Sequence, residues 1–405
     1  MNKISRDFLL AIPKTDLHVH LDGSLRLSTL IELAKEQNVE LPSYTEEGLK
    51  ELVFKENYSN LPEYLHGFKY TVAVMQNPEA IERIAYELAA DNFAEGVCYI
   101  EPRFAPQLHI RPGFSMEQVL SSVDQGLARA KKDLNKQADV KNGSKVPFAY
   151  GIIGCAMRMF TDGFSDYFKN LFELHPHLSN TEMHALASLD LVRGLVKIRD
   201  EKGYAIVGFD LAGAEKGHPA EDHRAAYEFA HKHFLKKTVH AGEAYGPASI
   251  FQAITVCHAN RIGHGTNLFD AALINHPSAE TREKYVSNLS KYIADQRITI
   301  ELCLTSNMQT IPELADLSKH PFARMLDERL SITFCTDNRL VSHTMVTDEI
   351  EKALQHFDIP NYKLRDMIIY GFKRSFFFGD YPEKRKYMRN VIDVYDRLQK
   401  EFAIN

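Results

Sequence analysis

Residues 15–24 read TDLHVHLDGS. Leu17, Val19 and Leu21 alternate with His18 and His20, the period of a strand with two unlike faces. Side chains two apart on a strand point the same way, so both imidazoles share one side. The strand then stops at Asp22-Gly23, a turn signal. No G-x-G-x-x-G follows it. That argues against an open doubly wound sheet, the main rival for a chain that begins this way.

Seven further apolar runs lie downstream: GVCYIEPRF (96–104), VPFAYGIIGCAM (146–157), YAIVGFDLAG (204–213), KTVHAGE (237–243), RIGHG (261–265), ITIELCLTSN (298–307) and LSITFCTDN (330–338). Between them come segments with apolar residues at helical spacing, such as 79–96, 116–134 and 220–234. In the first, Ile81, Ile84, Ala85, Leu88 and Ala89 form one continuous face. Strands alternating with helices imply a parallel sheet with crossovers. Eight of them predict an α/β fold of the (β/α)₈ TIM-barrel type.

The whole of 1–405 reads as a single barrel domain with two additions. Residues from about 40 to 78 include LPEYLHGFKYTVAVMQ, amphipathic and aromatic, read as a helical lid over the barrel mouth. From about 348 to 405 the pattern is that of a helical extension. The polar stretch 135–145 reads as a surface loop.

Composition is that of an ordinary globular protein, 44% hydrophobic and 25% charged. A net charge of -6 argues against a nucleic-acid partner. No run approaches a membrane span. Phe8–Pro13 is too short for a signal core. The five cysteines form no C-x-x-C and read as buried free thiols of a reducing compartment, so a cytoplasmic location is expected.

In a (β/α)₈ enzyme, chemistry collects at the C-terminal strand ends. Those ends offer His18, His20 and Asp22; Gly213 and Glu215; His240 and Glu243; His264; Ser306 and Asn307; and Asp337 and Asn338. Inside a barrel His18 and His20 can share a metal ion with His240 and Asp337, a donor set that suits Zn²⁺ with a position left for water. Zinc lowers the pKa of such a water to about 7. Glu243, three residues after His240, stands near without being required as a ligand, an acid/base position.

Each piece alone has a plainer meaning. An H-x-H pair is a weak signal, His240 or His264 can be a hydrogen-bonded strand-end histidine, and Asp337-Asn338 can be turn chemistry. Glu101 and Arg103 read as a structural ion pair. His175, His177, His184, His218 and His223 read as surface residues. Joint placement at one end of the barrel lifts the set above these readings.

TDLHVHLDGS, FDLAGAE, VHAGEA, RIGHG, CLTSNMQT and CTDN, in this order, resemble the motifs of the adenosine deaminases of the metal-dependent amidohydrolase superfamily. The resemblance runs from about residue 13 to 340. It implies a barrel with one zinc ion and hydrolysis of adenosine, and of 2′-deoxyadenosine, to the inosine product and ammonia. By motif position His18, His20, His240 and Asp337 would hold the zinc. Glu243 would protonate purine N1, and His264 and Asp337 would orient the attacking hydroxide. Gly213 would offer its N–H to N3, and Asp22 would hold the ribose.

One departure stands out. The family often has Asp-Asp after the last strand, where this chain has Asp337-Asn338. An Asn amide donates to an acceptor such as N7 without needing a proton, so Asn338 can serve there. Relatives acting on free adenine tend to carry Glu in place of Asp22. The shorter Asp favours a nucleoside, with adenine or a modified adenosine as the alternative substrates. AMP is disfavoured by the lack of an obvious phosphate loop. Two-metal relatives often need a lysine after the fourth strand, and none precedes Lys216. Deaminases of the H-x-E…P-C-x-x-C type are excluded by the missing C-x-x-C. A non-catalytic metal-binding homologue would be marked by loss of Glu243 and His264, and both are present.

Overall fold

The computed structural model describes residues 4–404. Its strands are β1 (Lys14–His20), β2 (Val97–Phe104), β3 (Ile152–Met157), β4 (Ile206–Ala212), β5 (Lys236–Ala241), β6 (Arg261–His264), β7 (Thr299–Leu302) and β8 (Ser331–Phe334). Each pairs in parallel with the next. A two-residue strand, Ala149–Tyr150, joins β2 ahead of β3. The ring is completed by Asp337, whose N–H donates to His18 O at 2.8 Å while His20 N–H donates to Asp337 O at 2.7 Å. The fold is a (β/α)₈ barrel. The backbone bonds that close it also bring Asp337 beside the two histidines of β1.

Every residue of β1, β2 and β4 is buried. Helices cover one face of the sheet, and the other faces the barrel axis. Two of the covering helices are Pro78–Ala94, capped by Asn77 Oδ1 on the Ala80 N–H, and Met116–Leu134, opened by a Ser115/Gln118 capping box. The seam between β8 and β1 is covered by the helix Asn361–Arg374, which packs on both strands. Gly371 permits this approach, since a Cβ there would lie 2.3 Å from Thr15 Oγ1 and 2.9 Å from Thr333 Oγ1.

The expected insertion holds the short helices Glu46–Leu52, Leu61–Leu65 and Phe68–Val74. After β8 come Val346–His356, Asn361–Arg374 and Tyr381–Glu401. Three expectations need correction. The run 298–307 is a strand only to Leu302, and Leu304–Thr310 is helical. The stretch 135–145 contains a helical turn, Ala138–Lys141. His184 and His223 are buried, not surface residues: His223 Nδ1 lies 3.0 Å from Ser188 Oγ, and the His184 ring packs on Phe160. All five cysteines are buried and free. Among the described residues, no helix is long and apolar enough to cross a membrane.

Candidate metal and substrate site

A cavity of about 820 Å³ opens at the C-terminal ends of the strands. Its wall includes His20, Asp22, Gly213, His240, Glu243, His264, Asp337 and Asn338. Leu61, Tyr64, Leu65 and Phe68 from the inserted helices also line it. The structure thus brings these candidate residues to one cavity, although they span more than three hundred positions.

Ligand atoms of His18, His240, His264 and Asp337 all lie within 4.8 Å of one another, a buried three-histidine, one-carboxylate cluster able to hold a metal ion. His20 adjoins it, with Nε2 3.2 Å from His240 Nε2 and 3.4 Å from Asp337 Oδ1. The backbone is strained where the site needs it: His264 and Asp337 sit at φ 66° and 61°, a left-handed region that non-glycine residues rarely adopt. Gly263 makes room for His18, because a Cβ there would meet the imidazole Cε1 at 2.9 Å.

The outer nitrogens of the histidines are held by carboxylates. His18 Nδ1 lies 2.8 Å from Glu301 Oε2, and His240 Nδ1 lies 3.1 Å from Asp210 Oδ2. A carboxylate accepts, so each Nδ1 carries a proton, and in the neutral ring each Nε2 is the nitrogen that presents its lone pair inward. Burial pushes His240 down to about 4, which keeps it neutral. His18 Nε2 is buried yet makes no hydrogen bond, although Asp337 Oδ1 is 3.2 Å away. Lone pairs converging on a carboxylate oxygen repel unless a cation stands between them. The donor set therefore fits a divalent metal.

Glu243 is carried on the loop after β5. That loop is pinned by Glu215, whose buried carboxylate accepts the N–H groups of Gly242, Glu243, Ala244 and Tyr245 at 2.9, 3.0, 2.6 and 3.0 Å. The Ser249 hydroxyl adds a fifth bond. The left-handed Gly242 (φ 75°) turns successive N–H groups toward one centre, forming a nest for an anion. Desolvation pushes the Glu243 carboxyl up from its ordinary value, so it is better able to hold a proton near neutrality.

Asp22 is buried, its Oδ1 lacks a hydrogen-bond partner, with His20 Nδ1 3.9 Å away, and burial pushes its carboxyl up to about 7. An orphaned acceptor on a cavity wall suits a ligand hydroxyl. Gly213 sits at φ 99°, with only Met157 Cε at 3.7 Å and Arg158 N at 3.8 Å near an added Cβ. Asn338 Nδ2 meets the Tyr64 hydroxyl at 2.8 Å, and its Oδ1 is buried without a partner.

Residues not foreseen as part of the site complete it. Asp210 and Glu301 orient His240 and His18, and Arg103 bridges them, with Nη1 2.7 Å from Asp210 and Nη2 3.0 Å from Glu301. Glu101 pairs with Arg261, not with Arg103. Ser306, already marked in the sequence as a strand-end residue, donates its Oγ–H to Asp337 Oδ2 at 2.6 Å. The available signal was a charge inside an apolar run, FDLAG and IELC, which a buried strand tolerates only if paired.

A family model described as adenosine deaminase matches residues 13–394. An adenosine deaminase from Mycolicibacterium vanbaalenii is 35% identical over 376 residues, 92% of this chain and 93% of that protein. A probable adenosine deaminase from Dictyostelium discoideum is 34% identical over 376 residues, 92% of this chain but only 42% of that longer protein. Among solved structures, an amidohydrolase from Burkhoderia ambifaria with bound Zn superposes with a TM-score of 0.76 at 19% identity, covering 100% of this chain and 96% of that one.

Proposed function

The chain belongs to the adenosine deaminase family, and on that premise we propose that it hydrolyses adenosine to inosine and ammonia with one zinc ion. The observation that carries the reading is the buried histidine–carboxylate cluster with Glu243 on the same cavity wall. His18, His20, His240 and Asp337 are the proposed ligands. Zinc, when bound, supplies Lewis acidity that brings the pKa of a water to about 7.

This chain's residues do the rest. Adenine C6 is a poor electrophile while its ring is aromatic. Glu243 delivers a proton to N1, which lets the water oxygen bond to C6. The desolvation that raises its carboxyl favours this donation. Loss of the C6–N6 bond then restores the aromatic ring; one proton of the water leaves with the amino group as ammonia, and the other returns to the Glu243 carboxylate. His264 orients the attacking oxygen. Gly213 donates its N–H to N3, free of any Cβ that would hold the purine away. Asn338 donates to N7. The orphaned Asp22 oxygen accepts a ribose hydroxyl, the feature that favours a nucleoside over a bare base.

The test is ammonia release from adenosine, 2′-deoxyadenosine, adenine and AMP. Turnover of the nucleosides, abolished by a chelator and restored by Zn²⁺, supports the reading. Preference for adenine or AMP would reassign the substrate, and no turnover of any aminopurine would sink it.

A further inference from the structure

Behind His264 runs a chain of hydrogen bonds whose direction is fixed at its far end. The backbone N–H of Phe322 donates to His320 Nδ1 at 3.1 Å. An amide nitrogen can only donate, so His320 Nδ1 is the acceptor, and in the neutral ring the proton sits on Nε2. Burial pushes His320 down to about 4, which keeps it neutral. Its Nε2–H faces Asn307 Oδ1 at 3.3 Å. That contact settles the amide orientation, since the reverse would set two donors against each other. Asn307 Nδ2 then donates to His264 Nδ1 at 3.1 Å. His320, Asn307 and His264 are all buried, at 2, 0 and 1% exposure, so water cannot substitute for a missing partner.

We propose that Asn307 and His320 are positioning residues that hold His264 in the tautomer with its lone pair on Nδ1 and its proton on Nε2. His264 then faces the cluster as a hydrogen-bond donor. This separates it from His18 and His240, whose Nδ1 atoms face carboxylates and whose Nε2 atoms are bare. The four residues of the compact cluster are thus three ligands and one donor, which leaves His20 as the further imidazole for the metal. A donor beside the attacking oxygen orients it, whereas a fourth imidazole ligand would occupy the position the water needs.

The inference rests on the deaminase reading only for what His264 does in turnover; the tautomer itself is read without substrate. Long-range ¹H–¹⁵N spectra of histidine-labelled protein, with and without Zn²⁺, report which ring nitrogen of His264 is protonated. A proton on Nε2 in both states is expected, and a proton on Nδ1 would overturn the proposal whether or not adenosine is a substrate. Glutamine can still donate to Asn307, so His320→Gln should keep the tautomer and stay within about threefold of native turnover. His320→Leu removes the donor. It should mix the tautomers and lower turnover at least about tenfold with zinc content unchanged. Asn307→Asp offers His264 an acceptor and should move the proton to Nδ1. Unchanged tautomers in both His320→Leu and Asn307→Asp would also overturn it. Should those variants fail to fold, the native spectrum alone decides.

Discussion

The Tyr64 hydroxyl lies 2.8 Å from Asn338 Nδ2, tying the inserted helix Leu61–Leu65 to the loop that follows β8. Tyr64 also reaches Ser342 Oγ at 2.8 Å. Asn338 Oδ1 has no partner. Exchanging the two ends of the amide removes that orphan: Ser342 donates to Tyr64, Tyr64 donates to Oδ1, and the amino group is free for purine N7. Tyr64→Phe should therefore lower kcat/KM for adenosine about fivefold, the worth of one net hydrogen bond. Binding of 7-deazaadenosine, which lacks the N7 acceptor, should change little. Equal losses on both compounds would detach Tyr64 from the N7 contact.

Glu243→Gln keeps the size of the side chain but cannot pass on a proton. Turnover should fall by about 10²–10⁴. Zinc content should hold, because Glu243 is not among the four proposed ligands. Metal analysis beside steady-state rates separates the two effects, and near-native turnover would remove Glu243 from the proton-donor role.

Glu215 carries an effect at a distance. Its carboxylate gathers four consecutive N–H groups, one of them that of Glu243 itself. Glu215→Gln exchanges one acceptor oxygen for a donor, and the facing N–H groups lose their partner. Charge-assisted bonds are worth about 1.5–3 kcal/mol each, so a stability loss of about 2 kcal/mol or more is expected in denaturant titration. Turnover should fall as Glu243 shifts. In a Glu243→Gln background that second penalty should vanish, because the misplaced group no longer does anything. A full additive penalty there would place the role of Glu215 elsewhere.

The sequence made the strand ends legible because alternation and turn residues are local. TDLHVHLDGS shows its two faces within ten residues, and each polar residue at a strand end marks itself. Partnership is different. Asp210 and Glu301 stand in apolar runs, and a lone charge there says only that it needs a partner. One partner of Glu301 is His18, 283 positions away, and it becomes visible only when the ring closes. For the same reason Glu101 and Arg103, neighbours on β2, were read as a pair although each reaches across the barrel to another strand. The helix Leu304–Thr310 was hidden because the apolar run continues past the end of β7, where periodicity over a few residues cannot separate strand from helix. Tyr64 is marked only as part of the aromatic stretch 61–76, and His320 carries no local mark at all.

Arg103 offers the sharpest test of how the metal site is supported from below. Its guanidinium spans Asp210 and Glu301, the carboxylates that orient His240 and His18, and all three charged groups are fully buried. Arg261 also reaches Glu301, so that carboxylate keeps one cation when Arg103 is lost, while Asp210 is left with only the neutral His240 among its ion-pair partners. Arg103→Met should cost about 3–5 kcal/mol in unfolding free energy, because it strands buried charge. It should also weaken zinc binding by about 10–100-fold, the usual consequence of loosening the groups that orient metal-bound histidines. Arg103→Lys should rescue only part of either loss, since a single ammonium cannot fork between two carboxylates. The two losses are separable by chelator competition below the unfolding transition. If Arg103→Met lost stability but bound zinc with native affinity, the bridge would serve the barrel and not the metal site.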